Sequence, residues 1–217
     1  TKSMTVGIPK EYVKGLDKDV EKSFWKAVKK LEAHGIKYKE ISLPMTKYAL
    51  ASYYIIATSE ASTNLAKHCG MRYGLELEME GNFNEYFSKV RTEGFGEEAK
   101  RRIILGTFAR LSGYRNAYYL KAMQVRTMII NDFKKALESV DVIVAPTMPV
   151  VAPRFEEIEK LTPIQNWQMD VLTVPANLAG VPMISVPCDE MIGLHFIGNH
   201  LQEGNILQMA HTYEVIS

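Results

Sequence analysis

The sequence predicts an α/β fold in which a mixed central sheet is flanked by helices. Three observations lead there. A short apolar strand, Thr5 to Ile8, precedes a helical stretch at 18–34 and then an alternating segment, GIKYKEISLP, that reads as a second strand. A β-branched run, VDVIVAPTMP, is stopped by prolines and has the composition of a buried central strand. The stretch from Asp170 to Cys188, DVLTVPANLAGVPMISVPC, spaces a short helix and a buried strand with prolines and small residues, as a pocket wall would.

The elements follow in order. Val20, Phe24, Ala27, Val28 and Leu31 recur at helical spacing between Asp17, an N-capping residue type, and Gly35, a C-capping one. Ile36 and Tyr38 then alternate with Lys37 and Lys39 until Pro44 ends the strand. Strand, helix, strand implies a parallel pair joined by a right-handed crossover. Helical patterning resumes from Met45 to about Cys69, with Tyr48, Tyr53 and Tyr54 set among alanines and serines. From Gly70 to Gly96 the chain is charged and irregular and reads as a surface excursion holding a short helix. Long helices are expected near Glu97 to Leu111 and Tyr114 to Glu138. The last third offers a helix near Gln168 to Leu178, strands near Met183 to Val186 and Leu194 to Ile197, and a terminal helix from about Glu203.

At 217 residues and 47% hydrophobic, the chain can bury a real core, and a single domain over 1–217 is expected. Its 26 basic and 25 acidic residues leave a net charge of +1, which gives no global field to draw in nucleic acid. Cys69 and Cys188 lie far apart and lack metal-ligand spacing, so neither a disulfide framework nor a zinc site is expected, and a cytoplasmic setting fits. No apolar run approaches the roughly 20 residues that span a bilayer, and TKSMTVGIPKEY is unlike a signal peptide, which points to a soluble protein. The abrupt entry into the first strand suggests a piece of a longer polypeptide.

Catalytic parts are scarce. A hydrolase needs an activated nucleophile, a base and an oxyanion hole. Ser185 sits between apolar neighbours in ISVP and is expected to face the core, Cys188 has no histidine nearby in sequence, and Cys69 follows His68 at a helix end where the two side chains diverge. His34, His68, His195, His200 and His211 show no paired ligand spacing, and the phosphate-cradling GxxxxGK[ST] and GxGxxG loops are missing. The residues themselves favour binding over bond-breaking. Lys100, Arg101 and Arg102 stack at the head of the apolar helix IILGTFA, where cations oppose the helix dipole. Such a group is commonly a solvated face, yet an arginine is also the side chain best shaped to grip a carboxylate.

The segments VGIPKEYVKGLD, LPMTKYALASYYIIATSEASTNLA, RTEGFGEEAKRRIILGTFARLSGY, AYYLKAMQVRT, VDVIVAPTMP and DVLTVPANLAGVPMISVPC together cover nearly the whole chain. On them the chain resembles the second half of the amidase-signature family, and within it the A subunits of glutamine-dependent tRNA amidotransferases. The resemblance implies an incomplete, C-terminal part of that fold, whose catalytic serine pair and lysine would stand before residue 1. No catalytic residue is therefore assigned, and the chain alone is expected to be inactive. The resemblance gives glutamine binding to Arg102 for the carboxylate, Asp170 for the ammonium and Tyr53 through its hydroxyl. Arg101 and Tyr54 remain their rivals, because neighbouring helical positions point about 100° apart.

The same resemblance implies B and C partner subunits, tRNA held mainly by the partner, and ATP with Mg used there, with no cofactor, metal or membrane in this chain's part. The segment CDEMIGLHFIGN is shorter and more acidic than the Gly-rich turn the family would place there, which leaves that hairpin open. Two other readings stand beside it: a fragment of an amidase-signature hydrolase acting on another carboxamide, and a non-enzymatic binding or scaffold domain. An incomplete sheet would leave strand edges unpaired and favour self-association.

Overall fold

The computed structural model describes residues 4–217, which form two compact units. The first unit takes the chain up to Leu50 and again from Val125 to Ser217, and the second takes Ala51–Gln124.

The first unit is built on a five-stranded mixed sheet. β1 (Thr5–Pro9), α1 (Lys18–Ala33) and β2 (Lys37–Ile41) make the expected parallel crossover, with Val6 opposite Tyr38. α1 buries Val20, Phe24, Ala27, Val28 and Leu31, the residues its periodicity marks as a core face. Asp17 stands at its N-cap with extended backbone but caps no amide through its side chain; its own N–H donates to the Pro149 carbonyl at 2.8 Å. The C-terminal end passes through His34 to Gly35, whose φ of 93° is the left-handed conformation that suits glycine there. β2 is exposed nearly throughout and forms one edge, with its lysines in solvent.

β3 (Val142–Pro146) is buried along its whole length and sits in the middle of the order β2-β1-β3-β5-β4. The β-branched run placed it there because a strand covered on both faces must be apolar at every position. It runs parallel to β1 and antiparallel to β5 (Ile192–Ile197), which pairs antiparallel with β4 (Met183–Asp189). The short acidic segment between β4 and β5 closes a tight hairpin, with Met191 at φ 61° and a register shift near Pro187 and Asp189.

Val142, Val144, Val186, Leu194 and Phe196 face α1 and the terminal helix α9 (Glu203–Ile216), which contributes Ile206, Met209, Ala210 and Tyr213 to the same core. By the period-two alternation of strands, Ile143, Ala145, Ser185, His195 and Ile197 turn to the opposite face. Ser185 therefore does not enter the core as its apolar neighbours suggested. It is exposed on edge strand β4, and Val186 next to it takes the buried position.

The chain enters the second unit inside a helix, Ala49–Asn64 (α2), that follows a 3-10 turn at Pro44–Tyr48. The irregular stretch expected after Gly70 holds α3 (Phe83–Gly94), opened by a reciprocal capping box between Asn82 and Glu85. α4 (Glu97–Arg110) comes next, and a π-helical turn at Asn116–Leu120 leads into α5 (Lys121–Leu137), which returns the chain to the first unit. Beyond β3 come three short helices, α6 (Phe155–Ile158), α7 (Pro163–Gln168) and α8 (Val174–Ala179). The single helix expected from Gln168 to Leu178 is thus two helices with a turn between them. Thr162 and Gln165 cap α7 at its start, and Pro175 fits the first turn of α8, where its missing N–H costs nothing. No helix of the described residues is long and apolar enough to cross a membrane.

Candidate functional site

Arg102 and Tyr53 lie in the second unit, on α4 and α2. These two helices approach until backbone meets backbone: a Cβ built on Gly106 would fall inside the Thr58 carbonyl group and reach Ser59 N at 2.8 Å. One turn further on, the Arg110 guanidinium donates to the Thr63 hydroxyl. The two contacts advance together along both helices, so α2 and α4 run in the same direction. Arg102 stands one turn before Gly106 on the same face of α4, whereas Arg101 is rotated from Gly106 by about 140°. Tyr53 and Tyr54 lie at the matching level of α2, their rings edge to face with centroids 5.3 Å apart.

The basic group at the head of α4 is answered locally. Glu97 and Glu98 occupy the first turn, where carboxylates favour the dipole. Glu98 accepts from Arg102 Nε at 2.9 Å and from the Arg101 guanidinium. Burial alone would raise the Glu98 pKa, but the hydrogen bonds and charges of Arg102 and Arg101 hold it below the usual carboxylate range. Lys100 turns back to the Thr92 carbonyl at 2.7 Å. Arg102 keeps about half its side chain in solvent, so its guanidinium retains donors beyond the one given to Glu98.

Asp170 belongs to the first unit and lies half-buried in the turn between α7 and α8. Its carbonyl is the hub of that turn, accepting from Thr173 N, Val174 N and the Thr173 hydroxyl, each at 3.0 Å. The far end of α8 is fixed too. Gly180 takes φ 72° at the C-cap, and Arg126 from α5 donates through Nε to the Leu178 carbonyl at 2.9 Å. Buried Val174, Pro175, Ala176, Leu178 and Ala179 make α8 the close-packed wall that its small residues foreshadowed.

Sequence reasoning missed a polar group on the exposed end of the sheet. The Ser185 and Thr147 hydroxyls hydrogen-bond at 2.6 Å, reaching from β4 to the end of β3 across β5. They meet above Gly193, where a Cβ would come within 2.5 Å of Thr147 Oγ1 and 2.6 Å of Ser185 Oγ. In strand register beside Ser185 stands His195, whose Nδ1 has no hydrogen-bond partner and whose pKa is pushed down to about 4 by burial. The spacing of Gly193 and His195, with Ser185 opposite, is readable only once the antiparallel register is known. Cys188 is a poor nucleophile, since burial and then the Asp189 charge raise its thiol to about 11.

Residues 1–207 match the family described as Amidase. The chain is 49% identical over 220 residues to the A subunit of glutamyl-tRNA(Gln) amidotransferase from Oceanobacillus iheyensis, covering 98% of this chain and 45% of that protein. It is 50% identical over 219 residues to the protein of the same name from Methanosarcina barkeri, covering 98% of this chain and 46% of the relative. The chain thus spans about half the length of the curated relatives it matches. Among solved structures, the A subunit of glutamyl-tRNA(Gln) amidotransferase from Thermotoga maritima aligns with a TM-score of 0.69 at 34% identity, over 96% of this chain and 41% of that one. A crystal structure of an amidase shares the fold, with a TM-score of 0.75 at 22% identity over 99% of this chain and 46% of its own length.

Proposed function

Because this chain belongs to the amidase family, we propose that it is the substrate-binding portion of the A subunit of a glutamine-dependent tRNA amidotransferase. One observation carries the reading: identity near one half, along 98% of the chain, with proteins of that name in both Oceanobacillus iheyensis and Methanosarcina barkeri. Glutamine presents a carboxylate and an ammonium, and each needs an opposite charge once water leaves. In this reading Arg102 takes the carboxylate through donors that Glu98 leaves free, Asp170 takes the ammonium, and Tyr53 donates its hydroxyl. Arg102 is preferred to Arg101 because it shares the α2-facing side of α4 with Gly106. The serine chemistry that would release ammonia belongs to the remainder of the parent protein. The B and C subunits, ATP with Mg, and most tRNA contacts belong to the assembly in which it would work.

The test uses the full-length parent. Arg102→Glu and Asp170→Lys, made separately, raise the KM for glutamine by roughly two orders of magnitude, about 3 kcal/mol, as expected when a charge that the bound substrate shields from water meets a like charge. Hydrolysis of a neutral amide lacking both charges changes little. Equal losses on both amides would remove the zwitterion from the reading. This chain alone, incubated with glutamine, is expected to release no ammonia.

A further inference from the structure

The first unit contains a cleft of about 690 Å³ whose lining runs on either side of Asp170, through Met169 and Val171, without including Asp170 itself. Its walls are Pro44, Pro149, Val150, Met169, Val171 and Leu172, and Lys14 and Lys47 stand at its rim. We propose that this cleft binds a small amphipathic carboxylate, with the apolar body between the proline and methionine walls and the carboxylate at Lys14 and Lys47.

The size and lining suit such a ligand, since small-molecule sites are largely apolar hollows of about 300–1,000 Å³ with a few placed polar groups. The walls are tied in place by backbone donors. Asp17 N holds the Pro149 carbonyl at 2.8 Å, and Met45 N is held by the Asp132 carboxylate at 2.8 Å. The charge pattern at the rim selects the head group. Glu11 also lines the cleft, but its carboxylate is committed to the Leu43 N–H at 2.8 Å and the Ser42 hydroxyl at 2.6 Å. Burial would raise its pKa, and those two hydrogen bonds hold it low instead. Among the described residues, Lys14 and Lys47 meet no carboxylate, and Lys47 lies over the Tyr48 ring at 4.9 Å. The rim therefore offers two ammonium groups without a counter-charge beside one carboxylate already engaged.

The experiment follows the Met169 methyl resonance in the chain labelled at its methionine methyl groups, assigned through Met169→Leu, during titration with octanoate and separately with 1-octanol. Octanoate is expected to shift Met169 saturably and leave Met191, exposed on the β4–β5 turn, in place. Reversing the rim with Lys14→Glu and Lys47→Glu together should weaken octanoate about tenfold or more, as loss of two charge-assisted contacts would, while octanol changes less than about twofold. Lys14→Gln with Lys47→Gln should fall between. Both lysines are exposed, and unchanged thermal unfolding of these variants checks that the fold survives. The proposal is overturned if Met169 does not respond to octanoate, if octanol shifts it as strongly, or if charge reversal leaves the octanoate affinity intact. A glutamate-rich peptide that displaces octanoate at lower concentration would overturn it too, in favour of a protein partner.

Discussion

Gly106 of α4 lies directly against the Thr58 carbonyl of α2, with no room for a side chain between the two backbones. This contact, more than any ion pair, sets the spacing of the helices that carry Arg102 and Tyr53. Glycine inside a helix ordinarily costs about 1 kcal/mol relative to alanine, so its presence here is a packing requirement that overrides propensity.

Gly106→Ala should therefore destabilise despite its better helix propensity. Overpacking a backbone contact costs about 1–3 kcal/mol, which would exceed the propensity gain and lower the unfolding midpoint by several degrees. Thermal and denaturant unfolding of the two proteins decide it, and a stabilised alanine variant would show that the helices part freely.

His195 should make stability depend on pH. Burial holds its pKa at about 4, against about 6.5 in an unfolded chain, so unfolding takes up a proton that the folded protein refuses. The contribution is complete above pH 6.5 and is lost as pH falls toward 4, amounting to about 3 kcal/mol. Denaturant midpoints between pH 4 and 8 should fall on acidification, and the fall should be shallower in His195→Gln. The same slope in both would assign the effect to other groups.

Gly193→Ala should break the Thr147–Ser185 pair by wedging a methyl group between the hydroxyls. A loss of about 1–3 kcal/mol is expected. Ser185→Ala opens space at one side, so the cost of Gly193→Ala should shrink in that background, which a double-mutant cycle measures directly.

Cys188 should alkylate slowly. With its thiol at about 11, only on the order of 0.1% is thiolate at pH 8. The rate with iodoacetamide should climb tenfold per pH unit through pH 10, and a plateau by pH 9 would contradict the burial of this thiol.

Much of this architecture is written in local pattern. The face of α1, the wholly buried β3 and the tight packing of α8 each follow from residues adjacent in sequence, and so did their prediction. What escaped depends on distant partners. Ser185 looked internal because its neighbours are apolar, and only the edge position of β4 gives it a solvent-facing side. The break between α7 and α8 was hidden because Met169 to Thr173 keep helical composition while hydrogen bonds gather on the Asp170 carbonyl. Which side of α4 meets α2 is likewise hidden in the sequence, because Gly106 marks it only through its contact with the distant Thr58. The Amidase assignment agrees with the family resemblance drawn from the motifs, whereas the glutamine contacts rest on the charge-reversal experiment.

The sheet joins its two segments late. Asp141 N bonds the Thr5 carbonyl and the Asp141 carboxylate accepts from Thr5 N, 136 residues apart, whereas the second unit is a single continuous stretch. During synthesis the stretch from Ala51 to Gln124 can therefore condense on its own contacts, while β1 waits for β3 to leave the ribosome. A pause in translation before residue 142 would prolong the time that β1 spends paired with β2 on one side and open on the other, and chaperone demand should rise with the length of that pause.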